Sequence, residues 1–495
     1  MTCVQSLICC DVTEDNTKGL AGHRNVTGES MVGVSVNRRI LRVRCITTFL
    51  IVSTLAIEVP ASETERVESY LKGLLKTQKH PGFSVLVSRD QQVLYQQAYG
   101  VADMESGRLN YPDTTFLIGS ITKQFTSAAI LKLQEQGKLS VQDPLGEYFP
   151  GWPRGDEVTL HHLLTHTSGI HNFTSSPTFP NDVLEAIDPK VLIAAIREMP
   201  YDFSPGAKWS YSNSGYFLLG AIVEKVSGKA YGVYLFDQFF GPLGMQRTGV
   251  YRHDSEAPEN EAMGHAGGLQ GYYRSARWHM SWTGGAGALY STTGDLNRWN
   301  ESVFGGKVLR PESLDLALAP VQLPEGEPQV PYGYGWMVHS ERGQPQVAHG
   351  GGLLGFVSYC HYFPKQKLSV VVLCNASIGY IPEQMSMKLA EIYLGAQLQP
   401  PPSRVVDESL VGRHYDDYVG EYDYGSAVMV ITRDGDQLWA QLGTEQRHKV
   451  FPAAMDEFFW KIVNARVRFH RDKEGKVIAA EHKQSGVTIN APRQK

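Results

Sequence analysis

Apolar runs of strand length occur in this chain in two groups that lie far apart, and this spacing limits the architecture more than any other feature. Phe83 to Ser88 and Gln92 to Tyr99 form the first group, split by Arg89-Asp90-Gln91 in the manner of a hairpin. Gln346 to Ala348, Phe356 to Phe363 and Leu368 to Cys374 form the second. The intervening sequence reads differently. Ser120 to Gln136 carries Phe125, Ala128, Ala129, Leu131 and Leu133 at helical spacing and stops at Gly137. From Asp143 to about Tyr273 helical pattern alternates with Gly/Pro-rich loops, and Thr292-Thr293-Gly294-Asp295 has the T-x-x-D form of a helix cap. Outside the strand groups, Glu63 to Gln78 and Pro382 to Leu394 also read as helices. One sheet built from both ends of a domain, with a helical region inserted between them, satisfies this order. The expected class is α+β, an antiparallel sheet flanked by helices.

A second module follows Pro400-Pro401-Pro402. Val428 to Thr432, Gln437 to Leu442, Val467 to Arg471 and Val477 to His482 are short alternating strands joined by turns such as Asp434-Gly435 and Glu474-Gly475. They predict a small antiparallel barrel or sandwich. The chain therefore divides into a leader over residues 1–61, a first folded domain over 62–398, a Pro-rich linker over 399–402 and a β-domain over 403–495.

In the leader, Arg38, Arg39, Arg42 and Arg44 precede the apolar run Cys45 to Ile57, and Val59-Pro60-Ala61 suits signal-peptidase cleavage after Ala61. The run falls short of the about 20 residues a membrane span needs. An uncleaved N-terminal anchor is the alternative, and Met31 is a candidate true start. Either way the expected location is secreted, periplasmic or cell-envelope. Four of six cysteines sit in this segment, leaving Cys360 and Cys374, which pairing across the turn at Pro364 to Lys367 puts out of register and on opposite faces. Both are expected to be reduced. Forty-six basic against 51 acidic residues, a net charge of -5, gives no general attraction to nucleic acid, so the expected partner is a small molecule or short peptide. Oligomeric state is not readable from these residues.

Chemistry concentrates in three places. Ser120 follows Gly119 at a helix start, and Lys123 lies one turn on along the same face, where an amine reaches the Ser120 hydroxyl and, when neutral, accepts its proton. Alone, this S-x-x-K is more simply an N-cap serine with a surface lysine. Tyr211-Ser212-Asn213 sets a phenol and a carboxamide at a second helix entrance, groups suited to proton relay and to holding an amide. His349-Gly350-Gly351-Gly352 ends an apolar run, with glycines that let a substrate approach an edge strand. Gly350, Gly352 and Gly355 also fit G-x-G-x-x-G, but the helix that motif requires is replaced by the β-rich Phe356-Val357-Ser358-Tyr359. His162 and His166 at i, i+4 spacing suggest zinc, yet no H-E-x-x-H frame or third ligand accompanies them; hydrogen-bonded histidines at a turn fit better.

Taken together and in this order, the three elements resemble those of the serine β-lactamase and penicillin-binding-protein superfamily, in particular the class C β-lactamase-like hydrolases that include D-amino-acid peptidases and esterases. The resemblance runs from about Val67 to Leu394. Phe116-Leu117-Ile118-Gly119, Leu163 to Ile170, Gly284-Gly285-Ala286-Gly287 and Tyr332 to Trp336 also look like recurrent segments of that family. It implies a β-lactamase/transpeptidase-like fold and an acyl-enzyme on Ser120, with Lys123 and Tyr211 moving the proton and Asn213 holding the substrate amide. It further implies substrate contact at His349, Gly350 and Gly351, an oxyanion hole made by the backbone N–H groups of Ser120 and Gly352, and no metal or organic cofactor. The family's third motif is usually Lys-Thr-Gly or His-x-Gly. Here it is His-Gly-Gly, whose imidazole is only partly charged at neutral pH if its pKa stays near about 6.5. Peptidase or esterase action on an amide, ester or D-Ala-D-Ala-type peptide is therefore expected ahead of efficient β-lactam hydrolysis. A penicillin-binding sensor with negligible turnover is the alternative, because no separate deacylating carboxylate is identifiable. The C-terminal module resembles lipocalin-like β-domains, with Tyr415, Tyr418, Tyr422, Trp439, Phe458, Phe459 and Trp460 as its expected core, and restricting access to the cleft or mediating assembly are its expected roles.

Overall fold

The computed structural model describes residues 61–494 apart from short stretches at 79, 177–182, 252–257, 259, 269–270, 328, 378–381, 401–403, 425–426, 444–445, 462, 464 and 485–486. The leader expected over 1–61, except Ala61 itself, the start at Met31 and residues 401–402 of the expected 399–402 linker thus lie outside the described residues. Among those residues, no helix is long and apolar enough to cross a membrane.

Both strand groups meet in one sheet. Its strands are β1 (Gly82–Arg89), β2 (Gln92–Gly100), β3 (Met337–Glu341), β4 (Gln344–Leu353), β5 (Phe356–Phe363) and β6 (Leu368–Cys374), in the spatial order β2-β1-β6-β5-β4-β3 and antiparallel throughout. The unbroken burial of β6, apolar except for Ser369, marks a strand covered on both faces. Leu368, Val370, Val372 and Cys374 face a core shared with the helices α1 (Glu63–Gln78) and α5 (Pro382–Leu394), while Val371 and Leu373 face the larger, mainly helical core. Cys374 pairs with Val357 and Cys360 with Val371, so the two thiols fall in different cores and remain free.

The inserted region supplies α2 (Thr122–Glu135), α3 (Asn213–Ser227) and α4 (Thr293–Phe304). Thr292 caps α4 by accepting the Asp295 N–H at 3.1 Å, as its T-x-x-D pattern predicts. For α2 the expected one-sided burial is too narrow. Lys123, Gln124, Thr126, Ser127 and Ile130 are buried as well, because the helix is surrounded. Its polar side chains are matched accordingly: Gln124 accepts from Trp299 Nε1 at 3.1 Å, Thr126 donates to the Gly285 carbonyl at 2.6 Å and Ser127 meets the Tyr216 hydroxyl at 3.1 Å.

The C-terminal module is an eight-stranded antiparallel barrel, nearly closed: β7 (Gly420–Asp423), β8 (Val428–Asp434), β9 (Gln437–Leu442), β10 (His448–Ala454), β11 (Glu457–Phe459), β12 (Ala465–Arg471), β13 (Val477–Gln484) and β14 (Val487–Pro492), each beside the next. A bridge between Tyr422 and Arg493 links the first strand to the chain just past the last. Tyr415, Tyr418, Tyr422, Phe458 and Trp460 belong to its core, as expected. Trp439 does not. Strand alternation turns Leu438 and Ala440 inward and sends Trp439 outward, beneath Arg447 at 4.4 Å and Lys449 at 5.3 Å. Phe459 is fully buried, as expected, and packs against Phe451 at 5.9 Å apart from that apolar cluster.

Candidate active site

The short strand Phe116–Leu117 pairs with Leu289–Ser291 and delivers the chain to a single 3₁₀ turn, Gly119–Ile121, from which α2 departs. Gly119 has φ +52°, a conformation that costs other residues dearly. A β-carbon there would also lie 2.8 Å from Gly352 N. A β-carbon on Gly351 would lie 1.9 Å from the Ile118 carbonyl oxygen, which instead accepts the Ser358 hydroxyl at 3.0 Å. These contacts draw the far end of β4 against the segment carrying Ser120. That end is a true edge, because β3 pairs with β4 only as far as Ala348.

Lys123 is buried, and its Nζ donates to Ser120 Oγ at 3.0 Å, Asn213 Oδ1 at 2.8 Å and the Ala286 carbonyl at 2.9 Å. It also sits 4.7 Å from the ring centre of Tyr211 and 5.4 Å from that of Tyr216. Of these oxygens, those of the carboxamide and the carbonyl can only accept. Two N–H bonds are committed to them in either protonation state of the amine. The Ser120 hydroxyl can accept or donate, so it takes an N–H from the ammonium or gives its own proton to the lone pair of the amine.

Tyr211-Ser212-Asn213 enters α3 and is laced to the segment Ile170–Ser175. Ser212 Oγ donates to the Ile170 carbonyl at 3.2 Å, Ser214 Oγ to the His171 carbonyl at 2.7 Å, and the Phe173 N–H to Ser214 Oγ at 2.9 Å. His166, in the left-handed region at φ +60°, accepts the Ser212 N–H on Nδ1 at 3.1 Å and lies 4.3 Å, ring to ring, from Tyr211. Burial, then the nearby charge of Lys123, holds its pKa well below the usual histidine value. His162 Nδ1 accepts the Thr159 N–H in a capping box, and His161 Nδ1 meets the Tyr334 hydroxyl at 2.7 Å. The three histidines thus carry out turn-building tasks, and no metal-ligating cluster of three His, Cys, Asp or Glu side chains occurs among the described residues.

His349 departs from expectation. It is 3% exposed; Nδ1 faces the Gly350 carbonyl at 2.6 Å and Nε2 the Tyr332 hydroxyl at 2.9 Å. A carbonyl can only accept, so Nδ1 carries the proton and Nε2 accepts from Tyr332. Burial, with Lys123 nearby, pushes its pKa down to about 3. The imidazole is therefore neutral and turned into the protein, with no charge to offer a substrate. Gly350 and Gly351 are closely faced by the Tyr359 ring and the Ile118 carbonyl, whereas the space a side chain on Gly352 would occupy is open. The sequence pattern places Ser120, Lys123, Tyr211 and Asn213 in the site but misses Ala286, Asn172, Thr174, Tyr332 and Ser358. Ala286 and Tyr332 lie in the segments Gly284 to Gly287 and Tyr332 to Trp336 that resemble the family, and Ser358 lies in the β-rich run after the glycines.

Residues 67–382 match the family model described as Beta-lactamase, and residues 409–491 match one described as a domain of unknown function, DUF3471. Penicillin-binding protein 4* of Bacillus subtilis (strain 168) is 29% identical over 406 residues, covering 78% of this chain and 89% of that protein. Among solved structures, the octameric penicillin-binding protein homologue from Pyrococcus abyssi aligns with a TM-score of 0.63 at 26% identity, over 86% of this chain and 99% of that one. A D-stereospecific amidohydrolase from Streptomyces sp. aligns with a TM-score of 0.58 at 27% identity, over 67% of this chain and 98% of that one.

Proposed function

The chain belongs to the β-lactamase family, and from that premise we propose that it is a serine hydrolase that forms an acyl-enzyme on Ser120 and cleaves a small amide or ester. The observation that carries this reading is the set of acceptors around Lys123 Nζ, which directs the lone pair of the neutral amine at Ser120 Oγ. Lys123 takes the hydroxyl proton as Ser120 Oγ attacks the carbonyl carbon. The backbone N–H groups of Ser120 and Gly352 hold the oxyanion that forms. Collapse expels an amine or alcohol, which receives the proton through Lys123 and Tyr211. Water then attacks the acyl group, frees the acid and returns the proton to Ser120.

Substrate class follows from His349. A neutral, inward-turned imidazole at the third motif gives a substrate carboxylate no partner at that position. This favours amides and esters without a carboxylate beside the scissile bond over D-Ala-D-Ala peptides and β-lactams, and the likeness to a D-stereospecific amidohydrolase supports D-amino-acid amides. The protein is further proposed to act outside the cytoplasm, as the basic-then-apolar segment before Ala61 suggests. A mature N-terminus at Ser62 would support export with cleavage.

The test is intact mass after a fluorophosphonate probe, together with turnover of D-amino-acid amides, D-Ala-D-Ala peptides, p-nitrophenyl esters and a chromogenic cephalosporin. The expected result is one adduct on the wild type, none on Ser120→Ala, and fastest turnover of amides or esters. An equal adduct on Ser120→Ala overturns the nucleophile assignment. A stable substrate adduct that releases no product identifies a sensor instead.

A further inference from the structure

We propose that Thr174 is a positioning residue that orients the Asn213 carboxamide and, through it, Lys123. The inference rests on the acyl-enzyme reading above. A carboxamide can present either its oxygen or its NH2 group to a neighbour, and only the oxygen suits Lys123. An NH2 group turned toward the amine would set donor against donor.

The hydrogen bonds decide the orientation step by step. The Asn213 backbone N–H donates to Asn172 Oδ1 at 3.0 Å, which identifies that atom as an acceptor. Asn172 Nδ2, on the other side of the same amide, donates to Ser175 Oγ at 3.0 Å. The Thr174 hydroxyl donates its one proton to the same Asn172 Oδ1, again at 3.0 Å. Its oxygen then acts as acceptor toward Asn213, taking a side-chain N–H from Nδ2 at 3.1 Å. With Nδ2 held there, Oδ1 is committed to Lys123 Nζ at 2.8 Å. Asn172 is 5% exposed, so its amide does not exchange these partners for water. The further ties from Ile170, His171 and Phe173 to Ser212 and Ser214 keep the two segments in register. Thr174 bonds to Asn172 and Asn213, and its effect on Lys123 passes through Asn213.

Thr174→Val keeps the shape of the side chain and removes the hydroxyl, whereas Thr174→Ser keeps the hydroxyl. The rate of Ser120 phosphonylation by a fluorophosphonate, in which Oγ displaces fluoride at phosphorus, is measured for both, and for Thr174→Val in an Asn213→Ala background, with Tm recorded for each. Loss of one hydrogen bond that acts in the reacting geometry predicts about a tenfold slower labelling of Ser120 for Thr174→Val. Thr174→Ser is expected within about twofold of wild type, and Thr174→Val is expected to add nothing once Asn213 is alanine. Wild-type labelling of Thr174→Val, an unrescued loss in Thr174→Ser, or full additivity with Asn213→Ala overturns the proposal. Labelling of Ser120→Ala, run alongside, would instead overturn the reading on which it rests.

Discussion

Ser120 and Lys123 are legible in sequence because a helix sets their separation, and one turn is the same length in any protein. Glycines beside them are less legible, since a glycine's reason lies in what approaches it. Gly351 and Gly352 are neighbours with opposite tasks. Gly351→Ala would drive a methyl group into the Ile118 carbonyl and Ser358 Oγ, so β4 and the nucleophile segment must part. The expected cost is about 1–3 kcal/mol of stability, with labelling of Ser120 by a fluorophosphonate largely lost. Gly352→Ala meets no atom within 4 Å. Its stability should stay within about 0.5 kcal/mol of wild type, while acylation falls if substrate occupies that space. Thermal unfolding and probe labelling of the pair check this; a Gly351→Ala variant that melts and labels like wild type would contradict it.

At the scale of elements, β6 and the barrel seam make separate predictions. Burial pushes both the Cys360 and Cys374 thiols up, far from the reactive thiolate range, and strand alternation puts them in different cores. Neither should be alkylated by iodoacetamide in the native protein, and both should be after denaturation, as read by peptide mapping. In the barrel, Arg493 gathers the seam. It donates to the carbonyls of Asp417 at 3.0 Å, Val477 at 3.2 Å and Val419. Arg493→Met should cost roughly 2 kcal/mol locally, the scale of a hydrogen bond from a charged group. Hydrogen exchange should then quicken in β7 and β14 and stay unchanged in the six-stranded sheet. Equal protection in both variants would mean that strand pairing alone closes the seam.

Across the whole molecule, buried neutral histidines link stability to pH. Burial lowers the pKa of His349 and His361 to about 3 and of His339 and His482 to about 4, with His166 also far below its ordinary value. Below about 6.5 the unfolded chain binds protons at these sites and the folded chain does not. Folding free energy is therefore undiminished above about pH 6.5 and declines toward pH 4, by up to about 1.4 kcal/mol per pH unit for each such histidine. Urea midpoints should fall steadily from pH 7.5 to pH 5. A flat profile would show that these imidazoles are charged in the native state. His482 lies in the barrel and the others in the first domain, so both should weaken.

Sequence by itself determined the α+β class, the two strand groups, the antiparallel character of the C-terminal module and the approach of Lys123 to Ser120, because these rest on periodicity, turn chemistry and residues one helical turn apart. It also separated Cys360 from Cys374, since register across a short turn is a matter of counting. Tertiary structure alone decided the rest. Burial on all sides of α2 depends on neighbours that its own pattern does not name. The neutrality of His349 depends on Tyr332 and the Gly350 carbonyl, and the outward turn of Trp439 on which side of a closed barrel its strand presents. The orientation of Asn213 depends on Asn172 and Thr174, which approach from another segment. Each of these is a contact between residues distant in the chain, and hydrogen-bond direction and desolvation exist only once such partners have been brought together.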